Sequence, residues 1–136
     1  MKIVLDKDAY KPCKAHPEDA GFDLMAREGQ IVPAQGSAIF DIGVHIEIPS
    51  GFVGFLKSKS GLNVRHGITS EGVIDAGYTG SICVKLYNNT QIPYMVEKGD
   101  KISQLVILPI CSDELEVVDS LDETARGNSG FGSSGR

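Results

Sequence analysis

No stretch of this chain sustains apolar residues at the helical period, and that absence most constrains what it can fold into. The apolar residues alternate instead. Val44-His45-Ile46-Glu47-Ile48 and Ile82-Cys83-Val84-Lys85-Leu86 carry them at every second position, the pattern of a strand with one buried face. Further strand candidates run from Lys2 to Leu5, Ser37 to Ile42, Gly51 to Lys57, Ile92 to Glu97 and Ile102 to Ile110. Breakers part them at short intervals: Pro33, Gly43, Pro49-Ser50-Gly51, Gly72, Gly77, Asn88-Asn89 and Lys98-Gly99-Asp100. Many short strands with regular turns predict an all-β fold, a distorted jelly-roll-like barrel or sandwich. One short helix is expected, a turn or two after Ser60 through Gly61-Leu62-Asn63-Val64-Arg65.

The 136 residues suit a single domain with a real core. The longest apolar runs, such as Leu105 to Ile110, fall far short of the roughly 20 residues of a membrane span. Met1 to Asp6 holds no basic-then-apolar leader, so neither secretion nor a membrane partner is expected. Cys13, Cys83 and Cys111 are widely spaced and form neither a disulfide framework nor a CxxC pair, which makes a reduced, cytoplasmic setting the default. No nucleic-acid partner is expected of a chain with net charge −5. That charge is uneven. Six acids and no Lys or Arg lie between Ile102 and Ala125, which leaves the rest of the chain at +1 and free to hold an anionic ligand.

Glycine is enriched, at 16 residues, and much of it sits beside residues that can do chemistry. In Lys57-Ser58-Lys59-Ser60-Gly61-Leu62, a hydroxyl and a glycine open the expected helix beside Lys59 and Arg65. Main-chain N–H groups and cations together suit an anion, although the segment is not a Walker A loop; the plainer reading is a capped surface helix. In Gly72-Val73-Ile74-Asp75-Ala76-Gly77-Tyr78-Thr79-Gly80, a strand runs into an acid and then a tyrosine-bearing turn. Asp75 there is either a general base for a water or a turn cap. Asp23, between Phe22 and Leu24, needs a partner if buried: main-chain N–H groups or the water shell of an ion. Gln104 heads an apolar strand, as a core polar group or as a ligand contact. His16, His45 and His66 are too dispersed to suggest a metal site, and His45 reads as a solvent-facing strand position.

The last ten residues hold four glycines and three serines, too little apolar mass to offset their ordering entropy. Residues 1–125 therefore read as the β domain and 126–136 as a flexible tail. Gly130-Phe131-Gly132-Ser133-Ser134-Gly135 matches G-x-G-x-x-G, but no helix or acidic residue follows as a dinucleotide site requires. Arg126 and Phe131 stand out instead: a cation for phosphate and a ring for a base suit a lid over a nucleotide.

Five segments in order are more specific than any one. Ala20-Gly21-Phe22-Asp23-Leu24-Met25-Ala26, Lys59-Ser60-Gly61-Leu62, Gly72 to Gly80, Gly99-Asp100-Lys101-Ile102-Ser103-Gln104-Leu105 and Arg126 to Gly135 together resemble the five motifs of the trimeric deoxyuridine triphosphate nucleotidohydrolases, the dUTPases. The resemblance implies a threefold homotrimer of jelly-roll-like subunits, with active sites built from all three chains. It implies Mg²⁺-dependent hydrolysis of dUTP to dUMP and pyrophosphate, which limits uracil in DNA and supplies dUMP for thymidylate synthesis. Carried onto this chain, it makes Asp75 the general base toward the water that attacks the α-phosphorus. Tyr78 packs under the deoxyribose and leaves no room for a 2′-hydroxyl. Lys59, in place of a usual arginine, joins Ser60, Gly61 and Gln104 on phosphate oxygens. Gly72, Val73 and Ile74 fall in the third motif on the substrate side. Arg126 clamps the γ-phosphate, and Phe131 stacks on uracil with Gly132 and Ser133 beside it as the tail closes. Asp23 acts on the metal through water. Mg²⁺ prefers phosphate oxygens and waters to an all-protein cage, so a missing carboxylate cluster agrees with this reading.

The chain departs from the family at Lys59, and at Gly77 and Thr79, where Asp and Arg are frequent. Residues 67–72 are short for the hairpin that reads uracil. The homologous deoxycytidine triphosphate deaminases carry a catalytic Glu where this chain has Lys85, which disfavours deamination. A non-catalytic nucleotide sensor or protein-binding module of the same fold should have lost its base, yet Asp75 is present.

Overall fold

A computed structural model describes residues 1–130. Within them lie ten strands and one short helix: β1 (Ile3–Leu5), β2 (Gly21–Met25), β3 (Gln30–Val32), β4 (Ser37–Asp41), β5 (Val44–Ile46), β6 (Phe52–Ser58), α1 (Ser60–His66), β7 (Ile68–Asp75), β8 (Cys83–Asn88), β9 (Tyr94–Val96) and β10 (Lys101–Pro109). The main sheet has the order β2-β10-β6-β7-β8-β4, and two-stranded ribbons β1-β5 and β3-β9 flank it. The all-β jelly-roll-like expectation holds, and every strand expected from alternation is present. Three stretches lie outside that reading: β2, β3 and residues 68–72 of β7, where Gly72 acts as a strand residue and not as a breaker.

The sheet curls because β7 changes partner along its length. Its last five residues pair with β6, from Lys57↔Glu71 to Val53↔Asp75. Its first three pair with β8, from Ile68↔Asn88 to Ser70↔Leu86. A side chain fills the gap at the corner. The Ser58 hydroxyl accepts the Ser70 N–H at 2.9 Å and donates to the Ser70 carbonyl at 3.1 Å. The buried Ser70 and Ser103 hydroxyls meet at 2.8 Å, so the main chain turns here with its polar groups satisfied.

The alternation puts Phe40, Ile42, Val44, Ile46, Leu56, Ile74, Val84, Leu86, Ile102 and Leu105 into one continuous core. Gly54 on β6 packs tightly between Ile48 and Leu105. A Cβ there would meet Ile48 Cδ1 at 2.8 Å and Leu105 Cδ1 at 2.9 Å. No described helix is long and apolar enough to cross a membrane. Cys13, Cys83 and Cys111 are free and exposed.

Candidate active site

Strand register gathers three of the motif segments at one end of the sheet. Asp23 on β2 pairs with Gln104 on β10, and Gln104 pairs with Lys57 on β6. Directly paired residues face the same side, so Asp23 and Gln104 project together beside the end of β6. There Lys59 takes the N-cap position of α1 in an extended conformation, and no side chain caps the helix. Its ammonium turns back onto Oδ1 of Asp23, while Lys101 reaches Oδ2 of the same carboxylate at 2.8 Å. Burial alone would raise the Asp23 carboxyl, but hydrogen bonds from Lys101 and Lys59 outweigh it and hold the group below the usual range. Gln104 donates from Nε2 to the Ser58 carbonyl at 3.0 Å, so its amide is fixed by main chain.

α1 needs little from its sequence to stop where it does. Gly67 adopts the left-handed conformation, φ 62°, and caps the helix through the Asn63 and Leu62 carbonyls. At the other end Ser60 is exposed, and a Cβ on Gly61 would meet nothing within 4 Å. Exposed main chain and two nearby ammoniums make this end of the sheet suited to an anion.

The third motif segment lies elsewhere. Asp75 is the last residue of β7 and is exposed. Its carbonyl accepts the Tyr78 N–H at 3.2 Å, closing a turn that Gly77 permits with φ 87°. The Tyr78 ring folds back onto Gly80, where a Cβ would stand 2.4 Å from the phenol oxygen, and its hydroxyl donates to the Ser81 carbonyl at 3.0 Å. Because Asp75 pairs with Val53, it sits five residues down β6 from Ser58. At strand rise that is about 17 Å from the end of β6, where the chain enters α1. One chain therefore presents two half-sites, an anion-binding end and an acid–tyrosine turn. Gly72 and Val73 lie between them on β7, opposite Leu56 and Phe55, with Val73 exposed and Ile74 buried.

Residues 7–135 match the family described as dUTPase. The chain belongs to the dUTPase family. It is 43% identical over 137 residues to the deoxyuridine 5′-triphosphate nucleotidohydrolase of Tropheryma whipplei strain Twist, with 98% of this chain and 94% of that one covered. The protein of the same name from Kluyveromyces lactis is 40% identical, with 100% and 94% covered. Among solved structures, the Staphylococcus bacteriophage 80alpha dUTPase with dUPNHPP superposes with a TM-score of 0.90 at 31% identity, covering 99% of this chain and 98% of that one. A dUTPase from phage phi11 of S. aureus, described with a structural Mg(II) ion, gives a TM-score of 0.84 at 29% identity, covering 90% and 98%.

Of the dUTPase motif residues, the structure joins Asp23, Lys59, Ser60, Gly61 and Gln104 at one end and places Asp75 and Tyr78 at the other. Arg126 lies exposed in a segment without strand or helix, its Nε donating to the Ser129 carbonyl at 3.2 Å. Phe131, Gly132 and Ser133 lie outside the described residues. Lys101, within the fourth motif segment, has no role in the sequence reading, because nothing beside Gly99-Asp100 in the chain marks it as a site residue. Only its contact with Asp23 distinguishes it. His45 is half-buried and bonded at both ring nitrogens, more engaged than a solvent-facing position. The Thr79 carbonyl raises its imidazole above the ordinary value, with Asp6 and Asp41 adding to that. Among the described residues no three His, Cys, Asp or Glu side chains gather as a metal cage.

Proposed function

We propose that this chain hydrolyses dUTP to dUMP and pyrophosphate, by attack of water on the α-phosphorus. The observation that carries this reading is the Asp75–Gly80 turn: an exposed carboxylate at a strand end, three residues before a tyrosine whose phenol end lies against a glycine. Asp75 takes the proton from the attacking water. Tyr78 lies under the deoxyribose, where its ring fills the space a 2′-hydroxyl would need. Gly72, Val73 and Ile74 present main chain along the approach to the base. Lys59, Ser60, Gly61 and Gln104 hold phosphate oxygens, and Lys101 adds a second ammonium beside Lys59. Phosphoryl transfer depends on positioning and charge neutralisation, which these groups supply.

The distance between the two half-sites supports a threefold homotrimer in which the Asp75 turn of one subunit meets the α1 entrance of another. Residues 126–136 serve as the lid on the β domain of residues 1–125. Arg126 clamps the γ-phosphate, and Phe131, Gly132 and Ser133 close over the nucleotide and exclude water. The homologous phage structure with dUPNHPP, a dUTP analogue, supports the choice of ligand.

Mg²⁺ fits the donor set as an ion held by the triphosphate and water. Asp23 carries two hydrogen bonds, from Lys59 and Lys101, and a carboxylate has about four acceptor positions, so it retains capacity for an ion-bound water. When bound, Mg²⁺ supplies charge neutralisation on the phosphates. The place of a deaminase's catalytic acid is held by Lys85, whose ammonium stands 4.9 Å over the Tyr87 ring. The reading is tested by incubating the protein with Mg²⁺ and dUTP, dCTP, dTTP or UTP and following pyrophosphate and product base. Selective turnover of dUTP is expected; deoxyuridine nucleotides formed from dCTP, or no turnover of dUTP, would refute it. Asp75→Asn should bind dUPNHPP and lose turnover.

A further inference from the structure

Behind the Tyr78 turn runs a polar circuit to which the mechanism above gives no task. His45 stands on β5 between buried Val44 and Ile46, with its ring on the opposite face of the strand. Nδ1 lies 2.8 Å from the main-chain carbonyl oxygen of Thr79, the residue after Tyr78. A carbonyl only accepts, so Nδ1 carries the proton and donates. Nε2 faces Oδ1 of Asp6 at 3.3 Å. The other oxygen of Asp6 accepts from Nη1 of Arg27 at 3.4 Å, and Nη2 of the same guanidinium donates to Oδ2 of Asp41 at 3.2 Å. The circuit closes on Oδ1 of Asp41, which accepts the Ser81 hydroxyl. It leaves the turn at residue 79 and returns to it at residue 81, on either side of the glycine that carries the Tyr78 ring.

The turn has little else to hold it. Among the described residues, the one backbone–backbone hydrogen bond made by residues 76–81 is Tyr78 N–H to the Asp75 carbonyl, and glycines occupy positions 77 and 80. The Tyr78 ring reaches its place through the Ser81 carbonyl, so any drift of residues 79–81 moves the ring. The circuit, in contrast, is anchored in the body of the fold. Gly43 N–H donates to Oδ1 of Asp41 at 3.0 Å, the Gly43 carbonyl accepts the Asp6 N–H at 2.9 Å, and a Cβ on Gly43 would stand 2.7 Å from Nη1 of Arg27. Strands β1, β2, β4 and β5 each contribute or adjoin a member, which ties the turn to elements far from it in sequence.

We propose that His45 is a positioning residue for sugar selectivity: by holding the Thr79 carbonyl it sets the height of the Tyr78 ring against the 2′ carbon of the nucleotide. This rests on the reading of Asp75–Gly80 as the sugar side of a dUTPase site. A hydroxyl oxygen is excluded only by a surface that does not yield, and a turn with two glycines yields unless something pins it.

Two near-isosteric substitutions separate the contacts of His45. His45→Asn places its amide N–H near Nδ1 and keeps a donor for Thr79, whereas His45→Gln reaches toward Asp6 and leaves the Thr79 carbonyl unpaired. With His45→Ala, the set is compared for kcat and KM with dUTP and UTP, and for amide hydrogen exchange in residues 76–82. His45→Gln and His45→Ala should lower the dUTP-to-UTP ratio of kcat/KM about tenfold, about 1.4 kcal/mol, mainly through a lower KM for UTP, and should speed exchange in the turn. His45→Asn should restore most of both. Unchanged selectivity and exchange in His45→Gln and His45→Ala would overturn the proposal. So would a loss in His45→Asn equal to that in His45→Ala, because the contact that matters would then be with Asp6. A wild-type protein that turns over UTP as readily as dUTP overturns the reading of the site itself, whereas a selective wild type with unmoved variants overturns the role of His45 alone.

Discussion

The ammonium of Lys59, at the threshold of α1, rests on Oδ1 of Asp23, a carboxylate whose side chain is only 7% exposed. Lys101 takes the second oxygen, so one buried acid organises two cations at the proposed phosphate end. Breaking a buried pair costs about 3–5 kcal/mol when the orphaned charge stays buried. Here Lys59 and Lys101 are 28% and 48% exposed and can turn to water. Asp23→Asn should therefore lower stability by about 2 kcal/mol, read from the urea midpoint, and raise KM for dUTP. An unchanged midpoint would mean that the triad contributes nothing to the fold.

The same triad predicts an acid-side pH dependence. The folded Asp23 carboxyl lies below its ordinary 3.8, so the unfolded chain binds the proton more readily. Its stabilisation is fully present above that ordinary value and is lost as pH falls through the folded one. Asp41 and Glu71 are lowered as well, so the wild type alone does not isolate the effect. The difference in urea midpoint between wild type and Asp23→Asn, followed from pH 6 downward, should shrink on acidification. A constant difference would assign the loss to packing rather than charge.

In the proposed site Lys59 stands in the place of an arginine and would meet phosphate as a point charge, without a two-pronged contact. Lys59→Ala removes one charge-assisted contact, worth about 1.5–3 kcal/mol, so KM for dUTP should rise on the order of 10- to 100-fold. Lys59→Arg should retain most of the affinity, since the extended N-cap backbone does not use this side chain for capping. Equal losses in both variants would mean that Lys59 serves Asp23 alone.

Gly80 gives a direct test of the tyrosine's place. A Cβ there would fall 2.4 Å from the phenol oxygen and 2.6 Å from Cζ of Tyr78, so the ring must move. Residues 75–79 are exposed and Gly80 itself packs on the Tyr78 ring, so Gly80→Ala should fold with a near-normal melting temperature. Its dUTP-to-UTP selectivity should fall about tenfold or more, measured as the ratio of kcat/KM. Retained selectivity would remove Tyr78 from the sugar site.

Alternation was enough to find the strands whose polar faces meet solvent, such as β4 with its strict exposed-buried pattern. It failed at β2, where Asp23 occupies an inward position and only the lysines of distant segments make that tolerable. It failed also in β7, which changes partner midway and carries Gly72 against Leu56. The motif residues were legible as a set in order. Their separation into two half-sites was not, because it depends on register between β6 and β7. The circuit through Asp6, Arg27, Asp41, His45 and Ser81 left no local trace, since each member is an ordinary polar residue at the end of, or beside, a strand.

Past β10 the chain keeps its apolar residues but finds nothing in its own fold to cover them. Leu115, Val117 and Leu121 are 99%, 98% and 87% exposed, and residues 110–130 form no strand or helix. Such side chains in an isolated arm cost ordering entropy with no return, whereas a neighbouring subunit of the proposed trimer offers a surface to bury them. Full burial of a Leu or Val is worth about 1.5–3 kcal/mol, so the three together contribute roughly 5 kcal/mol per subunit. Replacing Leu115, Val117 and Leu121 by Ser should leave each β domain folded by circular dichroism while weakening the assembly more than about a thousandfold, by the factor of ten per 1.4 kcal/mol. Sedimentation velocity at micromolar concentration should then show monomers in place of trimers, and dUTP turnover should fall with dilution. A variant that sediments as the wild type does would leave the arm in solvent and place the subunit contacts on the β domain alone.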